Sequence, residues 1–328
     1  MRIAVLGGTE FIGRNIVEGV VARGDQVLIV HRGITEPDDW VSCQHLHVDR
    51  ANFSAVAPTV RDFRPDAVVD ACAMTADDVA AVLPYLPDVP SIVLSSQDVY
   101  LAFQLVLRGG AGEQPVPIDE DGLVRTKRYP YRGIFAPDDD TYEKLDVEPA
   151  YLARGGTVLR LPRVYGPHDA QRREEPVLRR VRAGRRAIPI GSGNLLWSKS
   201  YVAEVSRSVL CVLDQPEAAA AQVFNVNEYS SVTMRRWYEQ ILAAADATSV
   251  ELVTVPDDVV PPDLRFTTAS RHHLLMDAGK IDRLLGWRHR NPEEAVAESV
   301  EWHLTHPPES DGEFASDDKA LRHVQRSK

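Results

Sequence analysis

Val5-Leu6-Gly7-Gly8-Thr9-Glu10-Phe11-Ile12-Gly13-Arg14 follows directly on an apolar run that begins at Ile3. A short buried strand, a glycine-rich turn and a helix opening at Phe11 make a seat for the pyrophosphate of a dinucleotide. Gly7 permits the tight turn and Gly13 lets the helix pack close to the strand. The free backbone N–H groups of the Thr9–Glu10–Phe11–Ile12 segment face the phosphates from the helix N-terminus. A glycine pattern alone is weak evidence. This one follows a strand, opens a helix and leads to a second apolar strand, which is the context the reading requires.

The second strand ends in His31-Arg32-Gly33, with no carboxylate at its tip to accept ribose hydroxyls. An arginine there accommodates a 2′-phosphate, so the expected cofactor is NADP(H) in preference to NAD(H). The other reading of Arg32 is a solvated side chain in a surface turn.

Working outward, apolar runs at 3–6, 27–30, 45–48, 67–71, 91–95 and 157–161 alternate with helical patterns such as 12–23 and 75–86. The expected fold is α/β, a Rossmann-type doubly wound parallel sheet with a smaller C-terminal substrate lobe. The dinucleotide domain spans 1–166 with later returns near 200–232, and 167–308 is mostly the substrate lobe. Within these stretches, 175–183 reads as a basic helix, 187–193 as a Gly/Pro-marked loop and 200–213 as a helix. Further on, 222–226 reads as a returning strand, 233–245 as a helix and 250–255 as β-rich. Residues 309–328 are polar and aperiodic, and are expected to be a mobile tail. Arg179, Arg180, Arg182, Arg185 and Arg186 read as the solvated face of a helix.

With 328 residues the chain has ample core, and its net charge of −11 argues against a nucleic-acid partner. Cys43, Cys72 and Cys211 are scattered without metal-ligand spacing, so no metal is expected and the thiols read as reduced core residues, Cys72 within a strand. No run is long and apolar enough to span a membrane, and the first residues enter a strand at once. The expected location is the cytoplasm.

Two clusters could carry chemistry. Ser95-Ser96-Gln97-Asp98-Val99-Tyr100 follows the fifth strand, at the carboxyl end where open parallel sheets gather ligands. Strand-end capping by the serines and a turn or N-cap role for Asp98 are the structural alternatives. The second cluster is Asp138-Asp139-Asp140-Thr141-Tyr142-Glu143-Lys144, where the three aspartates could simply cap a helix.

The turn Gly7-x-x-Glu10-x-x-Gly13 resembles the Gly-x-x-Gly-x-x-Gly turn of the extended short-chain dehydrogenase/reductases, the epimerase/dehydratase group. Glu10 stands where that group has its middle glycine, placing a negative charge beside the phosphates. Ser96 to Tyr100 resembles the Ser/Thr-x-x-Val-Tyr stretch of nucleotide-sugar epimerases and dehydratases. That likeness makes Ser96 the hydroxyl that holds the reacting oxygen, and sets Asp98 where 4,6-dehydratases carry an acidic catalytic residue. Val158 to Pro167, Tyr201 to Val205, Phe224 to Asn227 and Asp282 to Trp287 are similar to later family motifs. The resemblance also lays Asp49, Arg50, Ala71, Ala73 and Lys144 along the dinucleotide.

The family pattern breaks at Tyr-x-x-x-Lys. Lys144 follows Tyr142 by two residues, nearly opposite it on an ideal helix. The spacing from Lys144 to Glu148 favours Lys144 as the family lysine, which leaves Asp140 at the tyrosine position. Either Tyr142 reaches the site from a distorted first turn, or a carboxylate such as Asp140 moves the proton. Tyr100, Tyr129 and Tyr131 are the other phenols available. The asparagine expected before Val-Tyr-Gly-Pro is Arg163, so the substrate need not be a nucleotide sugar, although Arg163, Lys199 and Arg271 suit an anion.

The resemblance implies an NAD(P)-dependent epimerase, dehydratase or reductase acting on a sugar-like carbinol or carbonyl, and a homodimer. The dimer would pair the helix bearing Val79, Val82, Leu83 and Leu86 with the one bearing Lys144. The alternative is a non-catalytic dinucleotide-binding sensor or scaffold. Relatives with degraded Tyr/Lys pairs that resemble the chloroplast stem-loop RNA-binding proteins share the Gly-Gly-Thr-x-Phe-Ile-Gly turn.

Overall fold

The computed structural model describes residues 1–37, 40–109, 112–134 and 140–326. The first half runs β1 (Arg2–Leu6), α1 (Phe11–Ala22), β2 (Gln26–His31), β3 (Gln44–His47), α2 (Ala57–Phe63), β4 (Ala67–Asp70), α3 (Ala76–Val82), β5 (Ser91–Ser96), α4 (Leu101–Arg108), α5 (Lys144–Leu152) and β6 (Thr157–Leu161). It continues through β7 (Arg163–Tyr165), α6 (Glu175–Arg182), β8 (Ala187–Ile190), β9 (Lys199–Tyr201), α7 (Val202–Asp214), α8 (Pro216–Ala219) and β10 (Val223–Asn225). The last elements are α9 (Met234–Ala244), β11 (Glu251–Thr254), α10 (Gly279–Leu285), α11 (Pro292–Thr305) and α12 (Ala315–Arg326).

Seven strands form one sheet in the order β10-β6-β5-β4-β1-β2-β3, every pair parallel. The strands that are buried on both faces are near-continuous aliphatic runs, as a sheet covered by helices demands. Val17 and Val20 of α1 meet Val205 and Val209 of α7 over one face, while Val82, Val147 and Tyr151 of α3 and α5 cover the other. The strand order reverses between β1 and β4, so the crevice at their carboxyl ends is where a ligand belongs. A Cβ on Gly13 would lie 2.1 Å from the Gly7 carbonyl oxygen, so only glycine lets α1 start this close to β1. β10 joins the edge of this sheet, and a second core is built around Ile188, Trp237, Tyr238 and Leu264.

The structure corrects several sequence expectations. Residues 187–190 form a strand paired with β11, because Ile188 and Ile190 are fully buried there. Ser200 lies in β9, and the helix starts only at Val202. The helix from Ala76 stops at Val82 and becomes a single 3-10 turn at Leu83–Tyr85, where Pro84 has no N–H to continue the ladder. Cys72 lies just beyond the end of β4 rather than within it. Residues 315–326 are a docked helix, not a mobile tail, and the arginine cluster is what docks it. Arg180 is fully buried and bonds Asp317 and Asp263, while Arg179, Arg182 and Arg185 hold Asp263, Asp311 and Asp318. Val79, Val82, Leu83 and Leu86 are buried in the chain's own core.

Candidate active site and dinucleotide cleft

The Gly7–Gly13 turn, the tips of β2 and β4, and the segment after β3 enclose a cleft of about 540 Å³. Gly7 has φ +74°, and a Cβ there would strike the Cys72 thiol at 2.7 Å, so the turn tolerates only glycine. Glu10 sits at φ −130°, ψ 150°, extended backbone open to any residue, so this position does not require glycine. The left-handed step falls on Phe11 instead, at φ 36°. The Glu10 carboxylate makes no capping bond to the first-turn amides of α1. Gly7, Thr9, Glu10, Phe11, Ile12, Gly13, Arg32, Asp49, Arg50 and Ala71 all line this cleft. The cleft therefore fits the dinucleotide that the turn implies.

Three of the expected cofactor contacts have other duties. The Arg50 guanidinium pairs with buried Asp70 at 2.9 and 2.6 Å and donates to the Asp78 carbonyl at 3.0 Å, so it braces the cleft wall. Ala73 is fully buried outside the cleft lining, and its carbonyl accepts a bond from Lys144. Asp49 caps the short 3-10 turn after β3 through the Ala51 amide. Arg32 is exposed on the rim.

The break in the Tyr/Lys spacing is resolved by where α5 begins. Its first residue is Lys144, and Glu143 before it is extended at φ −159° with its carboxylate capping the Leu145 amide at 3.0 Å. Tyr142 therefore precedes the helix, so the spacing of helical turns does not apply to it. The Lys144 ammonium lies 5.6 Å from the centre of the Tyr142 ring. Lys144 is buried and donates to the Ala73 and Leu94 carbonyls at 2.6 and 2.9 Å. As an ammonium it keeps one hydrogen for a further acceptor.

Fully buried Asp98 is the hub. Tyr131 donates to its Oδ2 at 3.0 Å, and Tyr142 and Ser96 both approach the carboxyl as side-chain partners. Oδ1 has no well-formed bond. Burial pushes the Asp98 carboxyl above the usual carboxylate range. Burial, and then the Asp98 charge, holds the phenols of Tyr131 and Tyr142 well above an ordinary tyrosine, while burial lowers Lys144. Ser96, Asp98, Tyr142 and Lys144 are thus brought together, and Tyr131 joins them.

The remaining candidates separate from this group. Asp140 accepts from the Gly133 amide at 2.9 Å and serves the preceding turn; Asp138 and Asp139 lie outside the described residues. Tyr100 is committed to Asn225 and Arg160, and Tyr129 stacks under Arg132. Ser95 donates to Glu148 at 2.5 Å. Sequence spacing did not reveal the buried Arg125–Glu143 pair. Arg125 also donates to the Asp98 carbonyl at 2.8 Å, so one guanidinium ties the Asp98 turn to the residue between Tyr142 and Lys144. The partners lie 18 residues apart in the chain, and no periodicity announces them.

A second cleft of about 530 Å³ opens between Phe103, Leu195, Trp197 and Phe266. The Arg163 guanidinium lies 5.5 Å from the Trp197 ring and 5.0 Å from the Phe266 ring. Strand register sets Arg163 beside Lys199, which is buried and donates to the Trp197 carbonyl at 3.0 Å. Burial and neighbouring positive charge lower Arg163 to about 10 and Lys199 to about 8. Arg163 and Lys199 lie behind the aromatic wall and line neither cleft, and exposed Arg271 lines neither as well.

Residues 3–84 match the sequence profile of the NAD dependent epimerase/dehydratase family. The chain is 26% identical over 305 residues to the chloroplast stem-loop binding protein of 41 kDa b of Arabidopsis thaliana, covering 88% of this chain and 75% of that protein. Its fold is similar to dTDP-glucose 4,6-dehydratase of Bacillus anthracis in complex with NAD, with a TM-score of 0.69 and 16% identity over 93% of this chain and 97% of the other. It is also similar to UDP-glucose 4-epimerase of Thermotoga maritima with UDP-glucose, with a TM-score of 0.66 and 19% identity over 93% and 99%. The profile match spans the glycine turn and the first four strands, β1 to β4.

Proposed function

We propose that this chain is an NAD(P)-dependent enzyme of the short-chain dehydrogenase/reductase type that acts at a sugar-like carbinol or carbonyl carbon of an anionic substrate. The observation that carries this reading is the convergence of Ser96, Asp98, Tyr142 and Lys144 at the carboxyl end of β5. The bound dinucleotide supplies hydride acceptance and donation. Gly7, Thr9 to Gly13 and the rim residue Arg32 hold it, and the free hydrogen of Lys144 is available to a ribose hydroxyl. Ser96 orients the substrate oxygen.

A phenol held above its ordinary range is a poor base alone, but it has an outlet. As the substrate hydroxyl passes its proton to the Tyr142 oxygen, Tyr142 passes its own to Asp98, whose raised carboxyl readily takes it. The reverse transfer reprotonates a carbonyl oxygen during reduction. Arg125 and Glu143 fix the two segments that carry this pair. The stem-loop binding relative offers a non-catalytic reading, which the net charge of −11 and the intact proton pair disfavour.

Tyr142→Phe should lower turnover by about 10²–10⁴-fold and leave dinucleotide binding intact. Lys144→Ala should weaken dinucleotide binding. If Tyr142→Phe remains fully active on the substrate found, the proton relay is wrong. With Arg32 on the rim, NADPH should bind more tightly than NADH by ~1.5–3 kcal/mol, and Arg32→Ala should erase the difference. Calorimetric titration of both dinucleotides decides this, equal wild-type affinities being the contrary result.

A further inference from the structure

At the free edge of the sheet, away from the proton-transfer group, parallel register sets His31 of β2 against His47 of β3 and Ile29 against His45. Side chains two apart on a strand share a face, so three imidazoles gather on one side. The segment after β2 returns Glu36 to them. Glu36 Oε1 lies 2.6 Å from His47 Nε2, 3.3 Å from His31 Nε2 and 3.6 Å from His45 Nδ1. His31 Nε2 and His45 Nδ1 are 2.9 Å apart, and all four atoms fall within 4.8 Å of one another. Bonds of about 2.0–2.1 Å to a tetrahedral ion place its ligand atoms roughly 3.3 Å apart, inside the spread found here.

The three histidines are not equivalent. His31 is buried, and its Nδ1 accepts from the Gly33 amide at 3.1 Å, so its proton resides on Nε2 and it serves as a donor. His45 and His47 are more open, and with His45 Nε2 facing the Cys43 thiol at 3.4 Å, it is Nδ1, beside His31 Nε2, that faces the cluster. Two imidazoles and one carboxylate suit a transition metal of the zinc class. Magnesium and calcium take six or more oxygens instead.

We propose that Glu36, His45 and His47 bind one divalent transition-metal ion with an open fourth position, and that His31 Nε2–H supports the Glu36 carboxylate as a positioning residue. The ion would clip the segment from Arg32 to Glu36 onto the edge strand β3. Sequence spacing gave no metal motif because the ligands are assembled by strand register. Without metal the same atoms form two hydrogen-bonded pairs, His47 with Glu36 and His31 with His45.

The test uses tag-free, chelator-treated full-length protein titrated with Co²⁺, followed by visible absorption, and with Zn²⁺, followed by calorimetry. One equivalent should bind with the intense bands of four- or five-coordinate Co²⁺. Glu36→Gln, His45→Ala and His47→Ala should each abolish that signal, and His31→Gln should weaken binding about 10–100-fold. Circular dichroism of each variant separates loss of a ligand from loss of fold, and the exposed His47 provides a variant that leaves the core intact. Absence of saturable binding, pale six-coordinate bands, or full binding by folded Glu36→Gln and His47→Ala would overturn the site.

Discussion

Arg160 and Arg163 lie three residues apart on adjoining strands and live in opposite electrostatic settings. Arg160 grips Glu148 with two bonds of 3.0 and 2.9 Å, takes the Tyr100 hydroxyl at 3.0 Å, and is held above the ordinary arginine range by that carboxylate. Arg163 has no carboxylate partner among the described residues. It rests between two aromatic rings, its Nε is unbonded, and burial lowers its affinity for the proton. Arg50, Arg125 and Arg180 follow the pattern of Arg160, each joined to a buried or half-buried acid. A cation that folding has paired belongs to the scaffold. A cation enclosed without its counter-charge, with Lys199 beside it, is complementary to an anion from outside.

The largest consequence concerns the paired site. Arg160→Met leaves Glu148 buried without its partner, and should cost about 3–5 kcal/mol in denaturant unfolding. Arg163→Met leaves no orphaned acid, and should unfold at the same denaturant concentration as the parent, or higher. If both substitutions destabilise equally, the distinction between the two arginines fails.

A smaller effect appears in binding. Arg163→Met should weaken an anionic ligand, with UDP-glucose as the first probe, by ~1.5–3 kcal/mol, while binding of the dinucleotide is unchanged. An unaltered affinity for a probe that binds the parent would remove Arg163 from the substrate site.

The smallest effect is a pH slope. Lys199 is lowered to about 8 by burial and by the Arg163 charge, with Glu228 as the opposing charge. Anion affinity should fall by about tenfold per pH unit above that value as the ammonium is lost, and Lys199→Met should flatten the profile. Stability moves the other way. Because the folded pKa lies below the unfolded one, the unfolded chain binds more protons between about 8 and about 10.4, so the native state gains stability as pH rises through that window. A parent protein with level binding and stability across pH 7–10 would show that Lys199 does not titrate there.

How much of this was legible in the sequence follows from the range of the forces involved. The Gly7–Gly13 turn, the aliphatic runs and the return of β10 are local or periodic features, and strand order follows from them once parallel connections are accepted. Lys144 came from the family resemblance, while the same local reading found Ser96 and Asp98. It failed for the last twelve helical residues, whose docking depends on Arg180 reaching Asp317 across 137 positions. It also left Tyr142 unresolved, because an ideal helix drawn through Lys144 turns the phenol away.

The sequence by itself determined a dinucleotide turn and a doubly wound sheet, since backbone sterics and side-chain periodicity act over a few residues. Only the tertiary structure decided that α5 starts at Lys144, so that Tyr142 joins Asp98 while Asp140 does not. It alone separated Arg163 from Arg160, and assembled Glu36, His45 and His47 on one edge. Burial, charge pairing and strand register arise between segments far apart in the chain, and no spacing within either segment encodes them.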